Sequence, residues 1–169
     1  MLWCGDMKVA LFHGTHHGDG FRLEAGAAIT HAAQFGKFAN VVHVAAIHEE
    51  YPDGDVLLAT SLLAHGVCAQ RTRINAKDWY VYDIPQWDTV QSIDWFAKHG
   101  GEPYDLIGAI ESVFPLHHTG GRGWYCNEAV AASVGVANFA VDPAEFSELV
   151  DMIGKNITHE FFKAKDAPQ

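Results

Sequence analysis

The chain predicts an α+β fold: an antiparallel sheet of four to six strands with helices packed on it. Three observations carry that expectation. Short apolar and β-branched runs, separated by turn signals, cluster in the first half of the 169 residues. Capped segments with helical spacing dominate the second half. Strands that cluster and helices that cluster predict α+β rather than an alternating α/β order. No linker, repeat or low-complexity stretch interrupts the chain, so residues 1–169 read as a single domain.

The elements follow in order. "MKVALF" (7–12) is a short apolar run and a first strand. "HGTHHGDG" (13–20) is a polar, Gly-rich loop. In 22–38, alanine-rich, Leu23, Ala27, Ile29, Ala33 and Phe35 recur at roughly helical spacing, which predicts a helix. "VVHVAAIH" (41–48) is β-branched and apolar, the pattern of a central strand. "YPDGD" is a turn with Asp53-Gly54 as its hairpin signal, and "VLLAT" (56–60) is the returning strand. Residues 66–74 and 79–84 alternate like two more strands. A helix over 87–100 has Asp88 as capping candidate and a glycine pair as stop. Another spans 103–114 and ends at Pro115. A third, short helix runs 126–135 and closes at Gly135. The last, 142–154, opens with Asp142 as N-cap, Pro143 at the first helical position and Glu145 three residues on.

Composition excludes several classes of function. A formal net charge of −10 argues against a nucleic-acid binder and offers no positive patch for anionic lipid. No apolar run reaches the length of a membrane span. The start, "MLWCGDMKVALF", lacks a basic n-region, so no signal peptide is expected and a cytoplasmic location is. Three widely spaced cysteines, Cys4, Cys68 and Cys126, are not a disulfide framework.

Cys126 carries the chemistry. It stands where a loop with Gly120, Gly121 and Gly123 turns into a run of helix formers. A cysteine at a helix N-terminus meets unpaired N–H groups that favour thiolate and can stabilise an oxyanion. The plain alternative is a buried, inert thiol. Trp124 and Tyr125 are candidate pocket walls and substrate contacts. A thiol nucleophile needs a base distant in sequence and near in space. Of eleven histidines, His43 has the best context, early in the most apolar strand. Its plain alternative is a core histidine bonded to a carbonyl.

Three segments together resemble the circularly permuted branch of the NlpC-type, papain-like cell-wall hydrolases, the YiiX-like group, whose layout the lecithin–retinol acyltransferase relatives share. "VVHVAAI" is similar to that branch's histidine strand, "GEPYDLIGAI" to its Tyr-Asp-x-x-Gly helix, and "GWYCNEAVAASVG" to its Cys-Ser-Glu-x-Val helix. The resemblance implies a permuted papain-like fold, Cys126 as nucleophile and His43 as general base. It implies a thioester intermediate on an amide or ester, with a peptidyl or cell-wall amide as leading substrate class, and no cofactor. Two positions depart from the pattern. Asn127 stands where the family has serine. The position that orients the histidine falls at Leu58, which implies a weakened enzyme, a shifted strand alignment or a different third residue; Asp55, Thr60 and His65 are near enough to substitute, and Asp55 and Thr60 complete the catalytic candidates.

Other readings stay open: acyl transfer or deacylation on lipid, a non-catalytic binding module of the same fold, and a zinc hydrolase. The zinc reading would draw on His13, His16 and His17 with His117 and His118, but the spacing matches no zinc signature, and no metal is expected. Under the thiol reading His117 and His118 become substrate contacts at the mouth of the site. A small peptide or acyl group is the expected partner.

Overall fold

The central strands, over 7–12, 43–47 and 56–61, are mostly buried on both faces, which is why they read as apolar runs rather than alternating ones. The computed structural model describes residues 6–13, 40–113, 123–136 and 142–165. Their element order is β1 (Asp6–Phe12), β2 (His43–Glu50), β3 (Val56–Leu62), β4 (Gly66–Thr72), β5 (Trp79–Asp88), α1 (Thr89–His99), α2 (Leu106–Val113), α3 (Cys126–Ser133), α4 (Pro143–Ile153), β6 (Lys155–Asn156) and α5 (Thr158–Lys165). The strands form one antiparallel sheet in the order β4-β3-β2-β1-β5-β6. The class is the α+β arrangement the sequence predicts. The helix expected over 22–38 lies outside the described residues.

One face of the sheet packs Met7, Val9, Leu11, Val44, Ala46 and Ala59 against Ala129 and Val130 of α3 and Phe146 and Val150 of α4. The other packs Ala10, Ala45, Ile47, Leu58 and Val81 beneath Phe161 of α5. The β2–β3 hairpin closes at Gly54, whose φ of 89° a side chain would disfavour.

Two boundaries move furthest from the sequence reading. β5 runs on to Asp88, where a helix was expected from Trp87. The register with β1 jumps from Met7–Ile84 to Asp6–Asp88, and the extra residues there absorb Pro85, which has no N–H for a ladder. Asp88 still caps α1, its side chain accepting from Val90 N. α2 begins at Leu106 rather than at 103, because Tyr104 forms a parallel bridge with Trp124 instead. Beyond the expected elements, β6 and α5 close the described part of the chain. α4 starts as its sequence predicts, Asp142 accepting from Ala144 N and Glu145 N.

Candidate active site

The site forms where β2 and β3 part. Their ladder ends at Ala46–Ala59. Had it continued, Val44 would have paired with Ser61, and the Val44 peptide would have given its N–H and C=O to β3. Side chains take that place instead. Thr60 Oγ1 donates to Val44 O at 2.7 Å. The Val44 N–H points at the sulfur of Cys126. Thr60 Oγ1 also lies 3.1 Å from His43 Nε2. The hydroxyl has one hydrogen, and Val44 O holds it. Toward His43 the hydroxyl can therefore only accept, so Nε2 carries the proton and Nδ1 is the basic nitrogen. Cys126, Val44, Thr60 and His43 thus form one connected group.

His43 sits at a break in the strand. Val41 and Val44 join the core on the α3–α4 side, whereas Val42 and Ala45 join the core on the α5 side. Strict alternation would put residues 41, 43 and 45 on one face. Phe12, in register with His43, accepts the N–H of Val42. Such bulge-like steps re-aim side chains, and they recur beside active sites.

Cys126 is the first residue of α3. The cap residue, Tyr125, is extended at φ −93° and ψ 171° and offers no side-chain cap. The N–H groups of Cys126 and Asn127 accordingly turn toward the sulfur with that of Val44. The approach to α3 is tied at several points. Trp124 N donates to Pro103 O at 3.1 Å, and its indole Nε1 donates to Glu102 Oε2 at 2.6 Å. Glu102 also meets His99 Nδ1 at 2.8 Å. Gly123, at φ 147°, lets the two segments touch: a Cβ there would lie 2.2 Å from Pro103 O. Asp105 caps α2 through Gly108 N at 2.7 Å.

Burial dominates the electrostatics. Cys126 is 3% exposed, and desolvation raises its thiol pKa to about 11, although the three N–H groups pull the other way. His43 is 4% exposed, and desolvation lowers it to about 3. The N–H groups at the start of α3 pull the sulfur toward thiolate, but burial outweighs them. At neutral pH the pair is thiol and neutral imidazole.

The remaining candidates divide. Asp55 lies at the opposite end of β3, where it meets Arg71 Nε at 3.1 Å and Arg73 Nε at 3.2 Å. It is separated from His43 by the length of the strand. Leu58 is fully buried in the core on the α5 side, and His65 is exposed in the β3–β4 turn. Of the orienting candidates, Thr60 is the one within hydrogen-bond distance of His43. Tyr125 is buried next to the thiol, and Trp124 is half-buried against Trp95, ring centroids 5.0 Å apart. His117 and His118, like His16 and His17, lie outside the described residues. His13 follows β1 and stacks on Tyr80, ring centroids 4.0 Å apart. Among the described residues no three His, Cys, Asp or Glu side chains are grouped to hold a metal ion.

Two participants escaped the sequence reading. Val44 acts through its peptide group, which leaves no mark in a sequence. Asn127, fully buried beside the thiol, stands out in the sequence only as a departure from the family's serine, with no role attached. A cavity of about 620 Å³ lined by Asp6, Lys8, His48, Glu50 and Asp83 lies toward the other end of the sheet, away from this group. No protein-family model, curated protein or solved structure matches the chain.

Proposed function

We propose that the protein is a cysteine-dependent hydrolase of amide or ester bonds. The Thr60 hydroxyl carries the reading: committed to Val44 O, it fixes His43 with its proton on Nε2 and Nδ1 as base. In the reaction, Cys126 Sγ attacks a carbonyl carbon as its proton passes to His43 Nδ1. The carbonyl oxygen becomes an oxyanion, for which the N–H groups at the start of α3 are donors. Its collapse forms a thioester and expels the amine or alcohol, which takes the proton from His43. Water, deprotonated by the same nitrogen, then releases the acid and restores the thiol. An acceptor other than water would make the step an acyl transfer. The peptidyl or cell-wall amide as substrate class, like the permuted papain-like fold assignment, rests on the resemblance in sequence.

One observation favours a second reading, a non-catalytic module of the same fold. Both groups are buried and neutral, and charging them in the closed site is costly. Catalysis requires substrate to relieve that burial with its own polar groups. Acylation of each cysteine by an activated ester across pH, read by mass spectrometry beside His43→Ala, separates the two. A hydrolase shows Cys126 reacting at neutral pH and losing that reactivity without His43. A module shows Cys126 inert, or equally reactive in both proteins.

A further inference from the structure

The residue after the nucleophile has a place in this site that the thiol chemistry above leaves unused. Cys126 Sγ donates to Asn127 Oδ1 at 3.6 Å, a distance at which a thiol forms a weak hydrogen bond. Both residues are buried, Asn127 completely. Water is therefore a poor competitor for the thiol proton, and in such surroundings a weak bond counts for more than at a surface. The sulfur has a second set of partners. The N–H groups of Val44, Cys126 and Asn127 point at it and stabilise negative charge. A carbonyl oxygen does the reverse. It stabilises S–H and repels S⁻, so that the sulfur sits between donors that favour ionisation and one acceptor that opposes it.

We propose that Asn127 is a positioning residue that keeps the Cys126 proton on sulfur and points it away from His43, holding the site latent until substrate enters. The inference rests on the reading of Cys126 as nucleophile. It deepens that reading by naming the contact that must break first. The thiol rotates about its Cα–Cβ bond, exchanges Asn127 Oδ1 for His43 Nδ1 as proton acceptor, and only then attacks. No atom is gained or lost in this step. The proton stays on sulfur until His43 takes it.

The side chain at this position sets the direction of the effect, which gives the test its sign. Asn127→Ala removes the acceptor and should lower the thiol pKa. One pKa unit is about a tenfold change in thiolate at a pH below the pKa, and a weak buried bond accounts for about three- to tenfold. Asn127→Asp keeps an acceptor oxygen in the same place and adds negative charge, so it should raise the pKa further. A merely structural role would move both variants the same way, through loosened packing. Thiolate absorbance is titrated in the full chain, with Cys126→Ala subtracted, for the parent and both variants. The infrared S–H band of Cys126, assigned by its loss in Cys126→Ala, is recorded alongside.

The proposal expects opposite pKa movements, and an S–H band that rises in frequency in Asn127→Ala but not in Asn127→Asp. It falls if the pKa values move together or stay put, or if the band is unchanged in Asn127→Ala. Should Asn127→Ala not fold, Asn127→Asp alone decides, since an unchanged or lowered pKa there also overturns it. His43→Ala separates this from the function itself. Opposite pKa movements with no His43-dependent reactivity in any variant keep the contact and refute the nucleophile. His43-dependent reactivity with no response to either substitution keeps the nucleophile and refutes the latch.

Discussion

Replacing Thr60 with valine removes one oxygen and keeps the shape of the side chain. Two buried groups then lose their partner: the Nε2–H of His43, formerly 3.1 Å from the hydroxyl, and the carbonyl of Val44, formerly at 2.7 Å. A buried polar group left unsatisfied costs about 1–3 kcal/mol, while removing the hydroxyl itself recovers part of that. The expected net loss is about 2–4 kcal/mol of folding stability by that reasoning. For a chain of this size it lowers the melting temperature by roughly 2–4 °C per kcal/mol. Stability is measured by urea unfolding, and the imidazole proton is located by long-range proton–nitrogen correlation in NMR. In the parent the proton is on Nε2. In Thr60→Val the two tautomers mix, and turnover of an activated ester falls by about tenfold to a hundredfold, a loss of about 1.4–2.7 kcal/mol of transition-state stabilisation. Thr60→Ser, which keeps the oxygen, restores the Nε2–H form. A Thr60→Val protein as stable as the parent, with His43 still protonated on Nε2, would falsify the claim that this hydroxyl sets the tautomer.

Three further outcomes follow from other contacts. Gly123→Ala places a Cβ against Pro103 O at 2.2 Å on a φ of 147°, so it should displace Trp124 and cost more than about 2 kcal/mol, visible in unfolding and in Trp124 fluorescence. Burial lowers His43 to about 3 and His48 to about 4 in the folded chain, against 6.5 when unfolded. The unfolded chain then binds more protons, and stability, full above about 6.5, declines as pH falls toward about 4, by up to about 1.4 kcal/mol per pH unit for each histidine. Unfolding curves across that window check it, and His48→Gln should flatten the slope; an unchanged slope in that variant places the effect elsewhere. Tyr82→Phe removes the bond from Tyr82 Oη to Asp151 Oδ1 at 2.8 Å between β5 and α4, for a loss of about 1 kcal/mol in the same assay.

Much of this fold is written in local signals. Asp142, Pro143 and Glu145 together are a strong local signal for a helix start, and Asp53-Gly54 is one for a hairpin turn. The boundaries that moved were set by distant partners. Trp87 is as apolar as a helix position requires, yet a register jump opposite Asp6 and Met7 keeps it in β5. Pro103 to Asp105 carry a helical pattern, but the Trp124 backbone claims Tyr104. The short C-terminal helix offers little periodicity beyond Phe161 and Phe162, so it was not anticipated. The site divides the same way. Cys126 and His43 stood out by residue type and context. The family resemblance puts the orienting position at Leu58, but the hydroxyl of Thr60 is the group that reaches His43, because the ladder ends early and frees the Val44 peptide. The height of the thiol pKa depends on how completely the helices cover the sulfur, and no local pattern encodes that.

The most direct test is to trap the thioester. The full chain is mixed with p-nitrophenyl acetate, quenched in acid, digested and read by mass spectrometry, beside Cys126→Ala and His43→Ala. The account predicts acetylation on the peptide that carries Cys126, its loss in Cys126→Ala, and a sharp fall in His43→Ala with Cys68 labelling unchanged. Acetylation confined to Cys68, or labelling of Cys126 that ignores His43, would contradict it.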